Sequence, residues 1–279
     1  MDSLPSAAPP ACYRHPDRPT RLACSECGRL ICVECSRDAA VGQKCPECTT
    51  PEHRTRVIPA RTITHVDRRA TPVTWALVVV NVALFAVQEL FPDLHIFARA
   101  AHRPNLVEQG DWWRVATAMF LHGGVLHLLF NMYALWLFGP VLERRFGSPS
   151  YAALYVSGGL AGGMLYQLLG AGNPAVGASG AIFGLLGALL AASYRQRHTR
   201  SGAAVFGQLG VLLAINLALP FVWRNSNIAW QAHVGGLIAG ILIAAVWDRM
   251  KLTGRGASGR RVAVAAVVGA AALAAVLLV

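Results

Sequence analysis

The sequence predicts an all-α polytopic membrane protein: a core of six transmembrane helices, a seventh helix at the C-terminal end, and a small cysteine-rich module in front. Three observations carry this. Hydrophobic residues make up 54% of the 279 residues and charged residues only 14%, against roughly 25% charged in soluble domains, and mean hydropathy is +0.44. Seven apolar stretches succeed one another from residue 72 onward. All seven cysteines lie at or before Cys48. The net charge of +11 would point to nucleic acid in a soluble chain. Here the positive residues fall in short loops between apolar segments, so membrane topology accounts for them and no nucleic-acid partner is expected.

The cysteine-rich module comes first. Its ligand-type residues occur in pairs: Cys12-x2-His15, Cys24-x2-Cys27, Cys32-x2-Cys35 and Cys45-x2-Cys48. An x2 spacing lets one tight turn present two ligands to one metal, and eight ligands suffice for two tetrahedral zinc sites. So short a stretch, with few large apolar side chains, cannot build an adequate core, and metal must supply folding energy. The competing reading is a disulfide framework. An odd cysteine count and a cytosolic setting argue against it. The spacing resembles the cross-braced B-box type zinc finger. That resemblance implies Cys12, His15, Cys32 and Cys35 at one zinc and Cys24, Cys27, Cys45 and Cys48 at the other. Beside it, His53 is a further ligand-type residue able to replace one of them, although eight are present without it. Such modules are structural or protein-binding, so a cytosolic protein partner is expected and no chemistry. The polar, cysteine-rich N-terminus does not read as a signal peptide.

The chain therefore divides into a flexible N-terminus over 1–11, the double zinc-binding module over 12–53, a basic linker over 54–71, a six-helix core over 72–250, and a linker with the seventh helix over 251–279. The linker carries Arg54, Arg56, Arg61, Arg68 and Arg69, which suit a solvated connection or a juxtamembrane segment facing anionic lipid. Residues 252–261, rich in small and polar types, read as flexible like the N-terminus.

The apolar segments run near 72–91, 115–139, 150–170, 178–194, 203–222, 229–247 and 262–279. Helices of about 17–25 residues span a hydrocarbon core of about 30 Å. Arginines set the orientation. On one side lie the linker, Arg144-Arg145, Arg195, Arg197, Arg200, and Arg249, Lys251, Arg255, Arg260 and Arg261. On the other lie Arg99, Arg103, Arg114 and Arg224. The positive-inside rule then puts the N-terminus in the cytoplasm and the C-terminus outside. Residues 92–114 form a long loop ending in Trp112-Trp113-Arg114, which suits an interfacial belt or a partly immersed loop.

Polar groups inside apolar segments are costly and mark function. Ser179 opens the fourth segment in Gly177-Ala178-Ser179-Gly180, and His233 heads the sixth. His127 and Asn131 share a face of the second, with His122 at its mouth. Singly, each could be interhelical glue. Together they put a nucleophile, a base and donors at one membrane surface. Gly180-x3-Gly184 and Gly236-x3-Gly240 let the fourth and sixth helices approach closely, bringing the Ser179 hydroxyl to an imidazole nitrogen, as a serine nucleophile requires. No aspartate takes an obvious third position, so the pattern is a dyad. The Ser179 N–H, the Asn131 amide and the His127 imidazole are the candidate oxyanion donors.

Over about 72–250 the chain resembles the rhomboid family of intramembrane serine proteases. Trp113-Arg114 is similar to its loop motif, His122-x4-His127-x3-Asn131 to its second-helix motif, Gly177-x-Ser179-Gly180 to its nucleophile motif, and Ala232-His233 falls in its base helix. The resemblance implies Ser179 as nucleophile, His233 as general base, and His127, Asn131 and the Ser179 N–H as oxyanion stabilisers. It implies structural roles for Glu143 and Arg114, and lateral substrate access past the fifth helix. Phe183 stands where many members carry a tyrosine against the catalytic histidine. It keeps the aromatic face, and with His122 it is expected to line the cavity. The seventh helix resembles the six-plus-one arrangement of the family.

The expected function is an intramembrane serine endopeptidase that cleaves transmembrane segments of membrane proteins near the extracytoplasmic face. It would need no cofactor for catalysis beside the two structural zinc ions and would sit in the lipid bilayer of a bacterial plasma membrane. The alternative is a catalytically inactive rhomboid-like protein that binds client helices. A transporter would call for inverted repeats and broken mid-membrane helices, and neither is visible.

Overall fold

In the computed structural model, the described residues are 10–39, 42–49, 70–170, 172–222, 228–250 and 256–278. Residues 1–9, His53, the linker arginines 54–69, Arg224, Lys251 and Arg255 lie outside them. The chain divides into two compact units, Met1–His65 and Val66–Val279.

The first unit is held by short pairings. Strands β1 (Arg37–Asp38) and β2 (Gln43–Lys44) pair antiparallel, with Arg37 opposite Lys44. Single bridges join Ala11 to Pro19 and Ala23 to Leu30. The interior consists of six cysteines around Ile31. Residues 10 and 11, expected to be flexible, are instead part of this unit: the Thr20 N–H donates to the Pro10 carbonyl at 2.8 Å.

The second unit is helical: α1 (Pro72–Leu90), α2 (Ile96–Ala100), α3 (Pro104–Glu108), α4 (Arg114–Thr117), α5 (Val125–Phe146), α6 (Ser148–Leu169), α7 (Ser179–Tyr194), α8 (Arg200–Val222), α9 (Trp230–Arg249) and α10 (Ala257–Leu277). Among the described residues, six of these are long and apolar enough to cross a membrane, and α7 is a shorter apolar helix. The apolar stretch beginning at residue 115 is not one helix. It breaks into α4, a 3-10 turn over Ala118–Phe120 and extended backbone, and α5 starts only after Gly123-Gly124, where Gly124 takes φ +157°. Residues 257–261, expected to be flexible, open α10.

Helix α7 is the centre of the bundle. Its buried residues run almost continuously from Gly180 to Ala188, so it is apolar all round, as a core helix must be. α6 and α9 are its main neighbours, and α10 packs on α6. The contact faces are glycine. A Cβ at Gly236 would collide with the Gly180 carbonyl and one at Gly240 with the Gly184 carbonyl, while one at Gly158 of α6 would stand 3.2 Å from the Gly184 Cα. Backbones this close gain dispersion contact that lipid tails cannot supply.

Two buried charged groups fix the periphery. The Glu143 carboxylate, 1% exposed, accepts the Val73 N–H at 2.9 Å, the Thr74 N–H at 2.8 Å, and the Thr74 and Ser148 hydroxyls at 2.7 Å each. A residue of α5 thus caps the first turn of α1, where N–H groups lack intrahelical partners. Arg114 bonds Asp111 Oδ2 at 2.7 Å and the carbonyls of Ala98 and Ala101, so it clamps the 92–114 segment. That segment is not an irregular loop but a series of short helices, with Trp112 and Trp113 nearly half exposed.

Candidate active site and metal centres

Ser179 is the first residue of α7 and His233 lies in the first turn of α9. The glycine contacts between these helices set the separation, and Ser179 Oγ lies 2.9 Å from His233 Nε2. His233 is 8% exposed. Its Nδ1 bonds no group among the described residues, so no third member stands behind the imidazole there. Phe183, one turn beyond Ser179, stacks on the ring with centroids 4.2 Å apart and planes 6° apart. It fixes the ring plane so that Nε2 faces the hydroxyl.

The backbone before Ser179 is pinned as well. The Gly177 N–H donates to the Ala118 carbonyl at 2.9 Å, and Ala175 bridges to His102. Gly177 has φ +125°, and a Cβ there would lie 2.7 Å from His127 Cε1 and Nε2 and 3.7 Å from Ser179 Oγ. Only glycine satisfies both demands, and the contact sets the His127 imidazole beside the serine. His122 packs edge-on against His127 at 5.1 Å. It is fully buried, and its ring nitrogens bond no group among the described residues; its carbonyl accepts Gln88 Nε2 at 2.9 Å. The Asn131 amide donates to the His127 carbonyl at 2.9 Å, a bond within α5. Its described contact therefore supports the turn carrying His127 and is not to Ser179.

Serine and imidazole at this distance can activate an oxygen nucleophile by proton transfer. The first-turn N–H of α7 has no intrahelical acceptor and can receive a developing oxyanion. Sequence reasoning missed several supports. Gly158 and Gly162 of α6 repeat the small-x3-small spacing and could have been found by it: a Cβ at Gly162 would meet the Ala232 carbonyl at 2.6 Å, next to His233. Gln231 Nε2 donates to the Leu169 carbonyl at 3.0 Å and ties the start of α9 to the end of α6. No sequence pattern announces that bond.

In the N-terminal unit, Cys12, His15, Cys32 and Cys35 form one cluster and Cys24, Cys27, Cys45 and Cys48 another, with the ligand atoms of each within 4.8 Å of one another. His15 Nδ1 lies 3.5 Å from Cys32 Sγ and 3.4 Å from Cys35 Sγ, and Cys27 Sγ lies 3.8 Å from Cys45 Sγ. Two thiolates on a tetrahedral zinc at about 2.3 Å stand about 3.8 Å apart, whereas a disulfide needs about 2.05 Å. All seven cysteines are free thiols. Burial opposes ionisation of Cys12, but N–H groups at Arg14 and Cys32 outweigh it and bring the thiol down to about 6. Cys24 falls to about 6 against the same opposition, through donors at Cys27, Cys45 and Glu26. Burial and the Cys32 and Cys12 sulfurs push Cys35 up to about 11, and Cys45 with burial pushes Cys48 up to about 12. In each cluster thiols that ionise readily, Cys12 and Cys32 or Cys24 and Cys27, stand beside thiols that resist because of burial and their neighbours. A bound dication resolves that conflict, so both donor sets fit zinc.

A helical membrane bundle in which a serine at the start of the central helix meets a histidine of a neighbouring helix, in a chain that also carries a cysteine–histidine module, is the class these observations define. The Rhomboid domain family matches residues 109–249, half of the chain, and the B-box zinc finger matches residues 8–39. The chain belongs to the rhomboid family and is an integral, multi-pass membrane protein. It is 38% identical over 168 residues to the Rhomboid protease GluP of Bacillus subtilis (strain 168), covering 60% of this chain and 31% of that protein. It is 38% identical to RHOMBOID-like protein 5 of Arabidopsis thaliana over 51% of this chain and 46% of the other. It is also 38% identical to the Putative rhomboid protease YdcA of Bacillus subtilis (strain 168), over 50% of this chain and 68% of the other. The chain spans less than half the length of the first two of these relatives.

Proposed function

We propose that the protein is an intramembrane serine endopeptidase that cleaves transmembrane segments of other membrane proteins near the extracytoplasmic face of a bacterial plasma membrane. The single observation that carries this reading is the 2.9 Å contact between Ser179 Oγ and His233 Nε2 at the end of a membrane-embedded helix. Ser179 Oγ attacks the scissile carbonyl while His233 Nε2 takes its proton. His127, Asn131 and the Ser179 N–H hold the oxyanion. The imidazolium then gives its proton to the leaving amine, and water, admitted beside His122 and Phe183, hydrolyses the acyl-enzyme by the same route. A helical peptide bond is shielded by its own hydrogen bonds, so substrates carry small or helix-weakening residues near the site and unwind locally first.

The arginine distribution supports a cytoplasmic N-terminus. The core is taken as 72–250, followed by the linker and seventh helix over 251–279, with the zinc module over 12–53 reached through the linker 54–71. In this reading the module binds two structural zinc ions, takes no part in the chemistry and docks a cytosolic protein. The test of function is to express wild type and Ser179→Ala with a reporter carrying a transmembrane segment. Cleavage by wild type alone supports a protease. Equal cleavage by both contradicts it, and retention of the reporter by both without cleavage would favour a client-binding protein.

A further inference from the structure

At the end of the bundle away from Ser179, the C-terminal ends of α5, α7 and α9 and the opening turns of α8 and α10 border a half-open cavity of about 1060 Å³. Four arginines line it, Arg145, Arg195, Arg249 and Arg261, against one acid, Asp248. Asp248 pairs with Arg195. Arg145 and Arg249 add positive charge over an apolar floor of Leu190, Ile241, Ala244 and Trp247, while Arg261 also bonds the Phe146 carbonyl.

The basic rim is held in place. Arg145 and Arg261 both lie over the Phe146 ring, at 5.5 and 5.4 Å from its centroid. Phe146 in turn packs edge-on against Trp247 at 4.9 Å, and the Trp247 indole N–H donates to the Arg261 carbonyl at 3.0 Å. Guanidinium groups stacked on an aromatic face hold their donor edges in a fixed plane, the geometry that meets a phosphate. The wall between α7 and α9 is apolar, and α8 packs only lightly against α9, which leaves that side open to the surrounding acyl chains.

A soluble anion would use the arginines but not the apolar wall. An apolar peptide would use the wall but bury the arginines. A phospholipid uses both, and basic pockets between transmembrane helices on the cytoplasmic side suit anionic head groups. We propose that this cavity binds an anionic glycerophospholipid of the cytoplasmic leaflet. Arg145 and Arg249 hold its phosphate, and an acyl chain lies along Leu190 and Ile241. The lipid bridges α5, α9 and α10 and seats the beginning of α8, where Phe206 lines the same cavity. The proposal goes beyond the proteolytic reading and does not depend on it. Ser179 and Arg195 stand at opposite ends of α7, a 16-residue helix about 24 Å long.

The test is native mass spectrometry of the full, delipidated chain in neutral detergent, titrated with phosphatidylglycerol or phosphatidylcholine. Wild type and Arg99→Gln, whose arginine lies in α2 far along the chain from this cavity, should retain phosphatidylglycerol and release phosphatidylcholine. The double variant Arg145→Gln/Arg249→Gln should bind phosphatidylglycerol at least about tenfold more weakly, and millimolar inorganic phosphate should not displace the lipid from wild type. Should the double variant fail to fold, Ile241→Trp, which fills the apolar wall and leaves every charge in place, should show the same loss. Equal retention of both lipids, undiminished binding by the variants, or displacement by inorganic phosphate alone overturns the proposal; the last would make it a site for a free anion.

Discussion

Phe183 and His233 lie face to face, ring on ring, 4.2 Å apart and within 6° of parallel. This contact holds the imidazole edge toward Ser179 without a hydrogen bond to Nδ1 among the described residues. Stacking of this kind is worth about 0.5–1.5 kcal/mol, so Phe183→Ala should lower kcat by about 2- to 12-fold with little change in KM. Phe183→Tyr should keep activity near wild type. The check is single-turnover cleavage of a transmembrane reporter in proteoliposomes.

The Gly180–Gly236 and Gly184–Gly240 approaches make the serine–histidine distance a property of helix packing. Gly236→Val should force α7 and α9 apart, because even one added carbon collides with the Gly180 carbonyl. Overpacking costs about 1–3 kcal/mol, so the protein should still fold, with a lowered unfolding midpoint and lost cleavage. The matching control is Gly210→Ala, in α8 with open space at its Cβ position, which should leave both readouts unchanged.

Much of this was legible in the sequence, because membrane helices advertise themselves by length and polarity. Ser179, His233 and the two glycine pairs could be read as a converging set because their spacing follows helix geometry. The break before α5 was not legible. Residues 115–139 are continuously apolar enough to pass for one span, and the helical path is broken by extended backbone from Leu121 to Gly124, through backbone conformation and not through hydropathy. Nor was the engagement of Asn131 with its own helix, since a short amide reaches a carbonyl one turn back as readily as a ligand. The third glycine face, at Gly158 and Gly162, carried the same signal as the other two and lies against the same pair of helices.

Glu143 is the buried link between α1, α5 and α6. Its two oxygens accept four hydrogen bonds, and Glu143→Gln replaces one acceptor with a donor aimed at donors. Unsatisfied buried groups cost about 1–3 kcal/mol each. The variant should lose about 2 kcal/mol or more and unfold at clearly lower temperature, read by tryptophan fluorescence in detergent. Its remaining activity per folded molecule should stay close to wild type.

The N-terminal unit should depend on metal. Purified full-length protein should contain two zinc ions per chain by elemental analysis, and Cys24→Ser should reduce this to one. Zinc ligands must be deprotonated, so acid opposes binding. Zinc retention should therefore fall as the medium is acidified and be complete at neutral pH. Chelation should unfold this unit while the Ser179–His233 pair keeps its reactivity.

The central claim is that Ser179 is a nucleophile activated by His233. It is tested most directly by labelling with a serine-reactive fluorophosphonate probe, comparing wild type, Ser179→Ala and His233→Ala in the same membranes. Strong labelling of wild type, none of Ser179→Ala and labelling of His233→Ala reduced by about 10²-fold or more is the predicted result. Equal labelling of all three proteins, or none of wild type, would contradict it.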